Sequence, residues 1–160
     1  MITELECCLQ VFVASGVALD ALYDQLRPFA GITDAEIKAW RENKTSRATQ
    51  VAEVIRRVFK LQVPVSGQFK QALSEILKYR DMAVHPSLAL KQSCSRPDIP
   101  VGVDWKFAAY RFDNSHACFT STIGMVSYLY EHPCPQEAVT ASIQNVVLAL
   151  QELGVVTVKK

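Results

Sequence analysis

Apolar residues recur near the start of the chain at alternating steps of four and three: Leu5, Leu9, Phe12, Gly16, Leu19, Tyr23 and Leu26. That spacing marks one face of a helix packed against another helix. Thr3 is placed to cap its start and Pro28 to help end it. A short helix over Asp34–Glu42 follows the break at Gly31, with Thr33 as its cap. A third, over about 46–61, gathers Ala48, Val51, Ala52, Ile55, Val58 and Phe59 on one side. The fourth starts near Ser66, after Pro64, and carries Phe69, Ala72, Leu73, Ile76 and Leu77 before reaching Arg80. It must stop close to Val84, because Pro86 disfavours the helical conformation at His85.

Residues 86–114 break this regularity, with Pro86, Pro97, Pro100 and Gly102 among scattered polar groups, and are expected to form a long irregular insertion. Within it Trp105, Phe107 and Ala109 alternate with Lys106, Ala108 and Tyr110, a strand-like pattern. Two further helices close the chain. One starts at Asn114-Ser115 and uses Phe119, Thr122, Ile123, Val126, Leu129 and Tyr130; the other uses Val139, Ile143, Val146, Val147, Leu150 and Leu153, with Gly154 as C-terminal cap. The expectation is an all-α fold, a bundle of about five main helices in one domain over residues 1–160.

Composition agrees with a single folded domain: 160 residues, 49% hydrophobic and 21% charged. The net charge of +1 provides no bulk attraction toward a polyanion, so any such contact must be local. Five cysteines, an odd number without C-x-x-C spacing, read as reduced thiols of a cytoplasmic protein. Glu4 and Glu6 lie where a secretory signal would be basic, and residues 7–22 are interrupted by Gln10, Ser15, Gly16 and Asp20, so neither export nor a membrane span is expected.

The chemically informative stretch is Arg80-Asp81-Met82-Ala83-Val84-His85. Arg80 continues the apolar stripe of its helix, where a cation is costly unless paired; the bland reading is an interior ion pair with Glu75 or a carboxylate on another helix. His85 leaves the same helix at its end, where it also reads as a simple capping residue. On an ideal helix, five residues of separation would put the two about 140° apart, but a histidine past the helix end can swing back. Asp81 lies four residues before His85, a spacing that lets it orient the imidazole if the last turn persists.

This hexapeptide resembles the signature of the HEPN superfamily: an arginine, a polar residue, three more residues and a histidine, toward the end of a long helix in an all-helical bundle. The resemblance implies a metal-independent endoribonuclease, needing no cofactor, with Arg80 and His85 catalytic and Asp81 in the supporting polar position. It also implies a homodimer bringing two motifs together, in a toxin or defence component. The residue types suit the chemistry, since histidine exchanges protons near neutrality and arginine presents a permanent forked cation to a phosphate. Some family members continue as His-x-Tyr, with the tyrosine modified by a partner enzyme; here Pro86 and Ser87 follow His85.

Other features carry less. Arg111 and His116 repeat the bare spacing, but with Phe112 at the polar position and at a helix start. His116/Cys118 and His132/Cys134 flank a helix whose 16 or so residues hold the pairs about 24 Å apart, too far for one zinc site, and no metal is expected. Cys7, Cys8 and Cys118 read as packing residues. Arg47, Arg56, Arg57, Lys60, Lys70 and Lys78 bias the two central helices toward positive charge, and Trp105-Lys106-Phe107 mixes aromatic and basic residues. Lys78, Arg57 and Trp105 are therefore candidate RNA contacts. The competing reading is a catalytically silent HEPN-like module whose 86–114 segment engages an antitoxin or another protein.

Overall fold

The computed structural model describes residues 2–85 and 92–157. Seven α-helices are found among them: α1 (Ile2–Leu26), α2 (Asp34–Glu42), α3 (Arg47–Phe59), α4 (Val63–Val84), α5 (Trp105–Ala109), α6 (Phe112–Glu131) and α7 (Glu137–Glu152). A single antiparallel hairpin, β1 (Cys94–Arg96) and β2 (Ile99–Val103), interrupts them, so the fold is all-α with a small two-stranded insert.

Helix α1 is the central element and packs against α3, α4 and α6, while α7 lies on α6. Its predicted stripe is buried at Phe12, Gly16, Leu19, Tyr23 and Leu26, whereas Leu5 and Leu9 are half-buried. Phe12, Leu19, Leu26, Val51, Ile55, Leu73, Ile76 and Leu129 have almost no exposed surface and form the centre of the core. Residues 2–29 are long and apolar enough, by length and composition, to cross a membrane, contrary to the expectation for 7–22. One face of that helix is built into the core while the rest lies at the surface, and Asp20 in its second half is engaged in ion pairs.

The helix caps follow local chemistry. Thr33 and Glu36 form a reciprocal capping box at α2, and the Ser46 hydroxyl accepts from the Thr49 amide at α3. Gly154, at φ +70°, ends α7 by donating to Gln151, while Val155 donates to Leu150. Several boundaries differ from expectation. Thr3 lies inside α1 rather than before it. α4 starts at Val63, three residues early, because Pro64 sits in its first turn, where a missing N–H costs nothing and a fixed φ helps.

Residues 105–110 are also a correction: Trp105–Ala109 is helical, not extended. The Asp104 carboxylate accepts from the Lys106 amide at 2.9 Å and nucleates the turn, and five residues are too few for their periodicity to distinguish strand from helix. Within the predicted insertion the described residues hold the hairpin and α5, and residues 86–91 lie outside the described range.

A buried arginine ties this insert to the bundle. Arg96, only 7% exposed, donates from Nη2 to both oxygens of Glu4 at 2.8 Å, from Nε to Asp98 at 2.7 Å and from Nη1 to the Phe107 carbonyl at 3.0 Å. Glu4 also accepts from the Phe112 amide at 3.1 Å, so a carboxylate from α1 serves the first turn of α6. α6 begins at Phe112 rather than at Asn114, with this carboxylate serving its first free amide. The amide bond, with help from Arg96, holds the Glu4 carboxyl below its ordinary value.

Candidate active site at the C-terminal end of α4

Helix α4 delivers its last two turns against the middle of α1. Tyr79 stacks on Phe12 with ring centroids 4.6 Å apart and planes 17° from parallel, which anchors the residue just before Arg80. The aliphatic stem of Arg80 lies directly over Gly16; a Cβ at position 16 would collide with the β- and γ-carbons of Arg80. Glycine therefore sets how closely the two helices cross. Gly16→Ala is expected to lower the thermal midpoint even though alanine favours helix by about 1 kcal/mol. The clash involves the stiff root of Arg80, and overpacking of that kind costs about 1–3 kcal/mol. A more stable Gly16→Ala protein would show that the crossing is loose.

One turn beyond Gly16, Asp20 receives the Arg80 guanidinium, with Nη1 donating to Oδ2 at 2.7 Å. Its other oxygen, Oδ1, accepts from Arg47 Nε on α3 at 2.8 Å. Arg47 in turn lies 3.8 Å over the Tyr23 ring and 3.9 Å from Asp24. Arg80 Nε is 2.8 Å from Asp81 Oδ1, an ion-pair distance, yet this buried nitrogen has no hydrogen bond because its N–H does not point at the oxygen. That contact is electrostatic only.

His85 ends α4 with φ and ψ of −122° and 68°, outside the α region that a following proline disfavours, and its backbone N–H donates to the Asp81 carbonyl at 2.9 Å. Its side chain is exposed, while Arg80 retains 19% of its side-chain surface. Among the described residues no hydrogen bond or ion pair joins Arg80 to His85, and the Asp81 carboxylate lies beside Arg80 rather than on the imidazole. The site as it stands is a fixed cation flanked by carboxylates, with an accessible imidazole at the same helix end.

The remaining sequence candidates separate. Lys78 is exposed on α4. Arg57 is committed to Glu36 on α2 and to Glu53 one turn back on its own helix, and Arg56 also pairs with Glu53. Trp105 is half-buried and packs on Tyr110 with ring centroids 6.1 Å apart, as an anchor of α5 on the core. Arg111 immediately precedes α6 without a side-chain capping bond, and His116 stacks on Phe112 at 5.5 Å, so this second pair sits at a helix beginning. No cluster of metal-ligating side chains occurs among the described residues, and all five cysteines are free. Cys8 and Cys118 are core residues as expected, but Cys7 is exposed. Burial raises the Cys118 thiol, which keeps it protonated.

The paired arginines on α3 give a pH prediction. Hydrogen bonds from Arg57 to Glu36, and from Arg56 to Glu53, lower each glutamate from the ordinary 4.5 to about 2. Carboxylates depressed in the folded state contribute stability that is complete above about 4.5 and disappears as pH falls toward 2. The urea midpoint is expected to drop through that window, and Glu53→Gln to flatten the drop. A midpoint indifferent to pH between 5 and 2 would contradict it.

Asp20 and Gly16 were not singled out as site residues by sequence reasoning. The available signal was that Asp20 is the only charged residue between Glu6 and Asp24 on an otherwise apolar helix, one turn after a glycine in its buried stripe. No protein-family model, curated protein or solved structure matches this chain.

Proposed function

We propose that the chain is a HEPN-like metal-independent endoribonuclease in which Arg80 and His85 act on RNA. The observation that supports this most is the presence, at one helix end, of a half-buried arginine with a fixed guanidinium and an exposed histidine one residue past the helix. In the reaction the ribose 2′-oxygen bonds to phosphorus as its proton passes to a base. The phosphorus–5′-oxygen bond breaks, and the leaving oxygen takes a proton from an acid. The products are a 2′,3′-cyclic phosphate and a 5′-hydroxyl. Arg80 stabilises the charge on the phosphate and His85 moves protons. One chain supplies one such pair, so a homodimer bringing two together fills both the acid and the base role.

The reading makes the protein a cytoplasmic toxin or defence component restrained by an antitoxin or another protein partner. With a net charge of +1, its affinity for RNA is modest and sensitive to salt.

A second reading is favoured by one observation: Arg80 is already paired with Asp20 and flanked by Asp81, so its charge is offset. Under it the chain is a catalytically silent HEPN-like interaction module. The two readings rank variants oppositely. The ribonuclease reading expects Arg80→Ala to abolish metal-free RNA cleavage. The module expects no cleavage by any variant, and expects Trp105→Ala with Phe107→Ala to abolish binding to a purified partner while Arg80→Ala does not.

A further inference from the structure

We propose that Asp20 is the positioning residue for Arg80, fixing the guanidinium of the proposed RNA-cleaving site from the neighbouring helix α1. The inference rests on that reading for its catalytic consequence, whereas the positioning itself is independent of it. The Arg80 stem lies on the bare backbone at Gly16, which offers contact but no directional hold. Asp81 is 60% exposed, belongs to the same helix, and does not align with the Nε hydrogen. Asp20 provides an aligned hydrogen bond from outside α4, at 2.7 Å, across 60 residues of sequence.

Asp20 is itself held from the far side. Its Oδ1 is taken by Arg47, and Arg47 is fixed by the face of Tyr23 and by Asp24. The acceptor presented to Arg80 therefore has little freedom to rotate, and a charge-assisted bond to an immobile carboxylate is a strong orienting device. The arrangement has a second consequence. Arg80 and Arg47 carry two positive charges against three negative ones on Asp20, Asp24 and Asp81, so the pocket holds an arginine in place without offering a net positive charge. Asp20 thus favours geometry over ground-state attraction for phosphate, and its removal should separate the two.

The test is Asp20→Asn in the full-length protein, read in two ways. First, the Arg80 Nη–H signal in nitrogen-15 NMR, assigned by its loss in Arg80→Lys, should exchange with water at least tenfold faster in Asp20→Asn, because Nη1 is the atom that donates to Asp20. Asp20→Glu, which keeps the carboxylate, should recover part of the protection. Second, steady-state cleavage of a short RNA should fall roughly 10- to 100-fold in kcat, the size of effect a misplaced catalytic group produces. KM should stay level or decrease, because a carboxylate has left the vicinity of the phosphate. An unchanged Arg80 signal in Asp20→Asn overturns the proposal, as does a raised KM with intact kcat. If the wild-type protein cleaves no RNA, the ribonuclease reading fails alone, and the NMR comparison still decides whether Asp20 positions Arg80. If Asp20→Asn does not fold, Arg80 exchange in Asp20→Ser decides: loss of protection supports the proposal, and full wild-type protection without the carboxylate overturns it.

Discussion

Phe12→Ala is expected to be the most destabilising single change near the site, costing about 3–5 kcal/mol. Phe12 has no exposed surface and sits where three parts of the fold meet. It stacks on Tyr79 of α4, tilts against Tyr110 at 5.7 Å beyond α5, and belongs to the stripe of α1. Removing the ring leaves a cavity that none of these neighbours can fill without moving a helix. It also removes the aromatic contact that fixes Tyr79, the residue before Arg80, a contact worth about 0.5–1.5 kcal/mol beyond burial. For a chain of this size the thermal midpoint should fall by roughly 6–20 °C. Calorimetry checks the first effect, and a fall of less than about 2 °C would mean that α1 and α4 are not held together by this cluster.

His85→Ala should separate activity from stability. The side chain is exposed, and the hydrogen bond that His85 makes at the end of α4 comes from its backbone, which alanine retains. The thermal midpoint should therefore move by less than about 2 °C, within the range of surface substitutions. Loss of a general acid or base lowers rate about 10²- to 10⁴-fold. A variant with wild-type melting and RNA cleavage reduced by that factor is the expected outcome. Wild-type cleavage by His85→Ala would assign the activity elsewhere.

How far the sequence led depended on where each determinant lay. Elements whose signals are local were legible: the Thr33 cap of α2, the end of α4 before Pro86 and the glycine stop at Gly154 all lie within a few residues of what they control. The start of α4 was missed because Pro64 was taken as a break when its position in the first turn makes it a start. Residues 105–110 were misread because alternation over so short a span also fits a helix carrying Trp105 and Ala109 on one side, and Asp104 tips the balance.

The site was half legible for a related reason. Arg80 and His85 stand close together in the chain, and Arg80 on an apolar stripe announces an ion pair, but nothing local names its partner. Asp20 lies 60 residues away and Glu4 lies 92 from Arg96, so these charges are matched only once the helices have packed. Arg57 carries the same lesson. It looks available for RNA as one of a run of basic residues; Glu53, four residues back on the same helix, is a local partner, but Glu36 on α2 becomes apparent only in the folded protein.

Metal-free chemistry at Arg80 and His85 leaves its mark in the end groups of cleaved RNA. Purified wild-type protein and His85→Ala, incubated side by side with RNA in excess EDTA, are to be compared by mapping the termini they produce. The wild-type protein should leave 2′,3′-cyclic phosphate and 5′-hydroxyl ends, and the variant should not. No cleavage by the wild-type protein, 3′-hydroxyl ends, or equal cleavage by both proteins would contradict it.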